Sequence, residues 1–167
     1  TRMMQAMIFA AGLGTRLKPL TDSIPKALVE VGGETLLQRT IERLKACGVK
    51  SMVINVHHFA QAIVDYLQAN NNFGVEIAVS DETQHLLDTG GGLKKAAHLF
   101  SSTANILIHN VDIISNVDLQ AFYTHQEQSD ALLLVSQRET KRYLLFNDDM
   151  RLVGWTNVET GEVRSPY

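Results

Sequence analysis

Apolar and polar positions along the chain repeat with two periods, one short and one helical, and the two alternate. Met4–Phe9 is a compact apolar run, as expected of a buried strand. After a loop and the Gly32-Gly33 turn, Leu37, Ile41 and Leu44 fall at helical spacing. Ser51–Asn55 (SMVIN) predicts a second strand, and Phe59, Ile63 and Leu67 a second helix that ends at Asn70–Asn72. Val75–Val79 predicts a third strand, a helix begins near Gly90–Gly92, and Ala104–His109 (ANILIH) predicts a fourth strand. Leu119, Phe122 and Tyr123 mark a further helix, and Ala131–Ser136 (ALLLVS) a fifth strand. Strands apolar on both faces, alternating with helices, imply an α/β fold whose mostly parallel sheet is sandwiched by helices. Such sheets bind ligands at the carboxyl ends of their strands, which directs attention to the loops after Phe9, Val79 and His109.

From about Arg142 the pattern shortens. RYLLFN, RLVGWT and EVR are strand-like runs separated by Asp148-Asp149 and Thr160-Gly161, so an antiparallel C-terminal extension is expected. With no repeat, low-complexity stretch or linker, residues 1–167 read as a single core domain. The ending at RSPY lacks a closing element, and a C-terminal truncation of that domain is expected.

Composition narrows the class without naming a chemistry. Fifteen Lys+Arg against 18 Asp+Glu give a formal charge of −3, so no broad basic surface recommends nucleic acid or an anionic membrane as a partner. No apolar run approaches the ~18 residues of a membrane span, and the start lacks the pattern of a signal peptide. The single cysteine, Cys47, lies beside Leu44 on a predicted helix and reads as a core thiol in a reducing compartment. A cytoplasmic protein is expected, its oligomeric state open.

The loop AAGLGTRLKPLTDSIPK, Ala10–Lys26, carries the first candidate chemistry. Ala10, Ala11, Gly12 and Gly14 let a bulky ligand approach the backbone, and glycines at positive φ can turn successive N–H groups onto an anion. Arg16 can fork onto phosphate oxygens, and Lys26, oriented by Pro25, offers a compact point charge. The loop is not a dinucleotide fingerprint, because Leu17 stands where the third glycine of G-x-G-x-x-G belongs; this disfavours an oxidoreductase. No window supplies a P-loop.

Two further segments fall on strand ends. In SDETQHLLDTGGGL, Ser80–Leu93, three glycines before a helical segment make a backbone surface for a flat base and ribose, with Thr89 as a potential cap. In ILIHNVDI, Ile106–Ile113, Asp112 lies just past a buried strand, a suitable place for an oxygen ligand to Mg²⁺. His57-His58 lacks spaced partners for zinc and reads as the approach to a helix. Lys94-Lys95 reads as a solvated helix face and Trp155 as packing.

The pattern A-A-G-x-G-T-R-L-x-P-L-T followed by P-K-A-L-V-x-V-G resembles the signature of sugar-1-phosphate nucleotidyltransferases. LDTGGGLKKA and VINVHHFAQAIVDYL are similar to its N-acetylmuramate-1-phosphate uridylyltransferase and mannose-1-phosphate guanylyltransferase-like branch. The resemblance implies a Rossmann-like core and transfer of NMP from an NTP, UTP or GTP, to a sugar 1-phosphate, yielding an NDP-sugar and pyrophosphate, with Mg²⁺ as cofactor. It implies catalytic roles for Arg16, Lys26 and Asp112: Arg16 on the β- and γ-phosphates, Lys26 near the α-phosphate and Asp112 on the metal. It adds Thr15, Glu82, Thr89, Gly90, Gly91 and Asn110 to the nucleotide contacts, with Glu82 near a base-reading position.

Departures from the family pattern are local. Val111 replaces a glycine often found between Asn110 and Asp112. Asn157 stands where many relatives carry an acid followed by lysine for the sugar, leaving the Asn157 amide and Arg142 as the sugar-phosphate candidates. A second metal ligand, far toward the C-terminus in related enzymes, has no counterpart here. The competing expectation is a nucleotide-binding or regulatory domain without turnover.

Overall fold

The computed structural model describes residues 3–125 and 128–167, and the chain divides into two compact units, Thr1–Gln126 and Glu127–Tyr167. The first unit is built on a four-stranded parallel sheet of β1 (Met4–Phe9), β4 (Val49–Val56), β5 (Glu76–Asp81) and β6 (Ile106–Asn110), ordered β5-β4-β1-β6. A small antiparallel pair, β2 (Glu30–Val31) and β3 (Glu34–Thr35), sits between β1 and the first helix in sequence. The helices are α1 (Leu36–Ala46), α2 (Ala60–Ala69), α3 (Asp88–Ala96) and α4 (Leu119–Thr124).

Side-chain alternation along β1 explains how the sheet is covered. Ala6 and Ile8 join one core with Leu37, Ile41 and Leu44 of α1, Ile63 and Leu67 of α2, and Leu119 of α4. Met7 points to the other face, where it packs with Val53 of β4 and Ala96 of α3. A strand with one apolar set for each face must be covered twice, and helices on both sides do so. Thr35 caps α1 by accepting from Gln38 N at 3.0 Å, and Cys47 follows the last turn as a half-buried free thiol against the core. Among the described residues no helix is long and apolar enough to cross a membrane.

The second unit contains an antiparallel sheet of β7 (Arg142–Phe146), β8 (Leu152–Asn157) and β9 (Glu162–Arg164), ordered β7-β8-β9. This agrees with the expected extension. Trp155 packs beneath the Arg164 guanidinium, 5.3 Å from the ring centroid, as a packing residue. The expected strand Ala131–Ser136 does not form: residues 131–140 have no regular secondary structure, and Leu132 to Val135 are 37–56% exposed. An apolar run becomes a strand only when its N–H and C=O groups find a ladder, and this run has none among the described residues.

Candidate functional site

Parallel strands place their carboxyl ends on one edge, and the register shows which residues share it. Phe9 of β1 is aligned with Asn55 of β4 on one side and Asn110 of β6 on the other; Asn55 is aligned in turn with Ser80 of β5. All three segments singled out in the sequence therefore leave the sheet at the same edge.

The loop after β1 is shaped by two local constraints. Gly14 has φ +66°, and a Cβ there would lie 2.8 Å from Thr21 Cγ2, so neither the conformation nor the space suits a larger residue. Thr21, itself buried, donates its hydroxyl to Gly14 O at 2.7 Å and closes the loop on itself. Thr15, Arg16 and Leu17 form a 3₁₀ turn just beyond, from which Arg16 extends exposed, with no ion pair or hydrogen bond to a described residue. Pro25, buried and extended, leads into a second 3₁₀ turn, Lys26–Leu28.

Lys26 Nζ meets Asp112 Oδ2 at 3.0 Å, although the two residues are 86 positions apart. A Cβ on Gly12 would lie 3.5 Å from the same Nζ, so Gly12, Lys26 and Asp112 form one contiguous patch. The side chains are 18% and 37% exposed: the pair is accessible yet held. The hold on Asp112 begins one residue earlier. Val111 is buried, its N–H reaches Phe9 O at 3.3 Å, and its carbonyl accepts from Thr40 Oγ1 at 3.3 Å. Valine in place of glycine therefore anchors the acid to the core.

His109 is also buried on β6, with Nδ1 2.5 Å from Asn110 O. Burial pushes its pKa below the ordinary value, with a smaller push from Arg43, against the upward pull of that hydrogen bond and of Asp112. Asp81 at the end of β5 is held below the usual carboxylate range by hydrogen bonds from the Thr83 hydroxyl and backbone N–H.

The glycine-rich segment differs from expectation in two respects. Helix α3 begins at Asp88, with Leu87 as its N-cap and no side-chain cap, so Thr89 lies inside the first turn and does not cap the helix. Gly90 borders open space, since a Cβ there would meet nothing within 4 Å, whereas a Cβ on Gly91 would lie 3.0 Å from Leu87 Cβ. Glu82 is 1% exposed rather than an open loop acid. Its Oε2 accepts from Asn55 Nδ2 at 2.6 Å and its Oε1 from Leu87 N at 3.0 Å. Ala10 and Ala11 are buried too, and the Ala10 N–H donates inward to Asn55 Oδ1 at 2.8 Å.

In the second unit, Arg142 and Asn157 are aligned partners across β7 and β8. The Asn157 Oδ1 accepts from Glu159 N at 3.0 Å, and Arg142 is exposed.

Asn55 was not among the sequence candidates; its signal was a polar residue closing the apolar run SMVIN. Thr21 closes the A-A-G-x-G-T-R-L-x-P-L-T pattern and Gly92 is the last of the three glycines, but their contacts, to residues across a loop or distant in sequence, were not legible.

Comparison with known proteins now decides the family. The nucleotidyl transferase family profile matches residues 5–146. The chain belongs to that family. It is 39% identical over 151 residues to an N-acetylmuramate alpha-1-phosphate uridylyltransferase from Caulobacter vibrioides, covering 86% of this chain and 61% of the relative. It is 38% identical over 120 residues to the enzyme of the same name from Neisseria meningitidis, covering 72% and 52%. A mannose-1-phosphate guanyltransferase from Gibberella zeae is 32% identical over 145 residues, covering 84% and 40%. The chain thus spans between two fifths and three fifths of these relatives' lengths. Among solved structures, HddC from Yersinia pseudotuberculosis superposes with a TM-score of 0.76 at 27% identity, covering 98% of this chain and 72% of that one. The nucleotidyl transferase fold is therefore shared.

Proposed function

We propose that this chain carries the nucleotidyl-transfer centre of an enzyme that makes an NDP-sugar, moving NMP from UTP or GTP to a sugar 1-phosphate with release of pyrophosphate. The observation that carries the reading is the Lys26–Asp112 pair, 3.0 Å apart against Gly12 at the carboxyl edge of the sheet. Support for the substrates comes from the relatives, named as uridylyltransferases and guanyltransferases of sugar 1-phosphates, and from the HddC structure complexed with GMP-PN, which is 30% identical with a TM-score of 0.64 and covers 72% of this chain and 52% of that one.

In this reading a phosphate oxygen of the sugar attacks the α-phosphorus in line. The new P–O bond forms as the bond to the β-phosphate oxygen breaks, and pyrophosphate leaves with the electron pair. The nucleophile is already an anion, so no protein base is required, and the residues act by position and charge. Arg16, exposed and without a partner among the described residues, grips the β- and γ-phosphates, while Gly12, Gly14 and Thr15 let them approach the backbone. Lys26 exchanges part of its contact with Asp112 for the α-phosphate. Ala10 and Ala11 contribute by their small size, Gly90 and Gly91 carry the base and ribose, and Asn110 contacts the nucleotide from β6. Glu82, with both oxygens engaged, supports the loop instead of reading the base. Arg142 and Asn157, adjacent across their strands, are the sugar-phosphate candidates.

Asp112 fits a divalent cation: Mg²⁺ binds through one or two carboxylates together with phosphate oxygens and water, and among the described residues this carboxylate is paired through Oδ2 with Lys26. Bound there, Mg²⁺ would supply charge neutralisation at the phosphates. The half-buried Cys47 suits a reducing, cytoplasmic setting.

A thermal-shift panel of UTP, GTP, CTP, ATP and dTTP with Mg²⁺ tests the reading. Nucleotide at a hundred times its Kd should add about 2.7 kcal/mol of stability. The expected result is a shift for UTP or GTP that shrinks in Asp112→Ala, followed by pyrophosphate release when a sugar 1-phosphate is added. No shift with any NTP would overturn the nucleotide site. A shift without pyrophosphate release from any sugar 1-phosphate would favour the regulatory reading.

A further inference from the structure

Asn55 and Glu82 are both buried, and Glu82, which the family resemblance set near the base, has both carboxylate oxygens engaged within the protein. We propose that this pair is a positioning bridge for nucleotide binding, tying the phosphate loop to the glycine-rich start of α3. The inference rests on the nucleotide reading above and concerns how that site is held together.

The hydrogen bonds converge on the Glu82 carboxylate from both sides. Ala10 N–H donates to Asn55 Oδ1 at 2.8 Å, Asn55 Nδ2 donates to Glu82 Oε2 at 2.6 Å, and Leu87 N–H donates to Glu82 Oε1 at 3.0 Å. Each end of this chain belongs to a different part of the site. Ala10 lies two residues before Gly12, and Leu87 is the N-cap of the helix that presents Gly90 and Gly91. The carboxylate orders the whole arrangement. Reversing the Asn55 amide would set its NH₂ against the Ala10 N–H and its oxygen against Glu82, two repulsive contacts.

The surroundings hold Glu82 by its backbone as well. Its N–H donates to Val56 O at 2.8 Å, and its carbonyl accepts from His85 N at 3.0 Å and lies 2.7 Å from His57 Nδ1. Gly92 closes the pocket: a Cβ there would lie 3.1 Å from Asn55 Nδ2 and 3.2 Å from Glu82 Oε2. A buried carboxylate is costly unless its oxygens are satisfied, so a fold needing only packed volume here would be served by an apolar side chain. The hydrogen-bonded pair does something an apolar pair would not: it fixes two loop ends relative to each other. Nucleotide binding uses both loops at once, and a displacement near 1 Å can cost about a hundredfold in such sites.

Neutral substitution removes the double acceptor on which the bridge converges. In Glu82→Gln the amide can accept from Asn55 or from Leu87 while presenting N–H to the other, so one junction becomes donor against donor. The test measures affinity for UTP and GTP with Mg²⁺, and kcat and KM with the sugar 1-phosphate that is turned over, in the folded proteins below their melting temperatures. Glu82→Gln and Asn55→Ala should each weaken affinity for the bound nucleotide at least tenfold. The double variant should be no more than about threefold worse than the weaker single, because both break the same bridge. KM for nucleotide should rise more than kcat falls.

Gln5→Ala is the control for mere destabilisation. Gln5 is an equally buried polar residue at the opposite edge of the sheet, and its loss should lower the melting temperature while leaving affinity within twofold. Gly92→Ala retains every polar atom and should weaken binding while leaving the domain folded, which keeps the test decisive if Glu82→Gln does not fold. Unchanged affinity in the folded variants, or an equal loss in Gln5→Ala, would overturn the bridge alone. A parent chain that binds neither nucleotide would overturn the nucleotide reading and the bridge with it.

Discussion

The two edges of the parallel sheet hold buried polar residues in opposite ways. At the amino edge, Gln5 donates to Ser101 O at 2.9 Å and Ala104 O at 3.0 Å and accepts from Ser101 N at 2.9 Å. Its hydrogen bonds all end on backbone, and the network is closed. At the carboxyl edge, the Asn55–Glu82 relay is buried, but it ends on two loops that stop at open groups: Arg16, the Lys26–Asp112 pair and the bare backbone of Gly90. The same strands thus serve cohesion at one edge and display at the other. The difference follows from the rule that parallel strands direct their connecting loops, and hence their ligands, to the carboxyl ends.

The largest expected effect lies in the displayed pair. Lys26→Ala should lower kcat by about 10²–10³-fold, the usual cost of removing a donor aimed at developing charge. Affinity for the nucleotide should change much less; equal losses in both would mean that Lys26 contributes uniform binding and would break the contrast. The matching change at the closed edge, Gln5→Ala, should cost about 1–3 kcal/mol of unfolding free energy in a denaturant titration, because it removes the three hydrogen bonds of a buried side chain, and leave kcat within twofold. Gly14→Ala should destabilise by about 1–3 kcal/mol, from positive φ together with the 2.8 Å approach to Thr21. Melting temperature reports that loss, and a neutral outcome would show that the loop readily takes another shape.

A smaller effect sharpens the comparison within β6. The folded-state pKa of His109 lies below its ordinary value of 6.5, so between the two values the unfolded chain holds a proton that the folded chain does not. The stability this residue contributes is complete above about pH 6.5 and declines as pH falls through the window toward the folded value. Denaturant titrations across that range should show the decline in the parent and a flatter profile in His109→Asn. The smallest effect belongs to the second unit, where the Lys141–Glu159 ion pair is 2.6 Å long but 70% and 58% exposed. Lys141→Ala should change stability by no more than about 0.5 kcal/mol, and a larger loss would show that this surface is not freely solvated.

Much of this site was legible before any contact was known. Gly14 stands where positive φ is needed, Pro25 precedes the cation, and Asp112 follows a strand end. Thr89 misled because Thr before glycines reads as a cap, whereas the helix starts one residue earlier at Asp88, which itself has φ +57°. Ala131–Ser136 misled because five consecutive apolar residues specify burial without specifying a partner strand. Glu82 was expected near the base because its polarity was visible and its burial was not.

The sequence by itself determined the element types, the parallel α/β class, the loops that leave the functional edge and the residues able to face an anion. These depend on period, backbone permissiveness and side-chain charge, which are local properties. Only the tertiary structure decided that Lys26 meets Asp112, that Glu82 turns inward to Asn55, and that Val111 anchors the acid to the core. Those outcomes depend on strand order β5-β4-β1-β6, which brings residues 27, 45 and 86 positions apart within hydrogen-bond reach. A local pattern does not encode which strand becomes whose neighbour; that is set by how the apolar faces of the whole domain pack together.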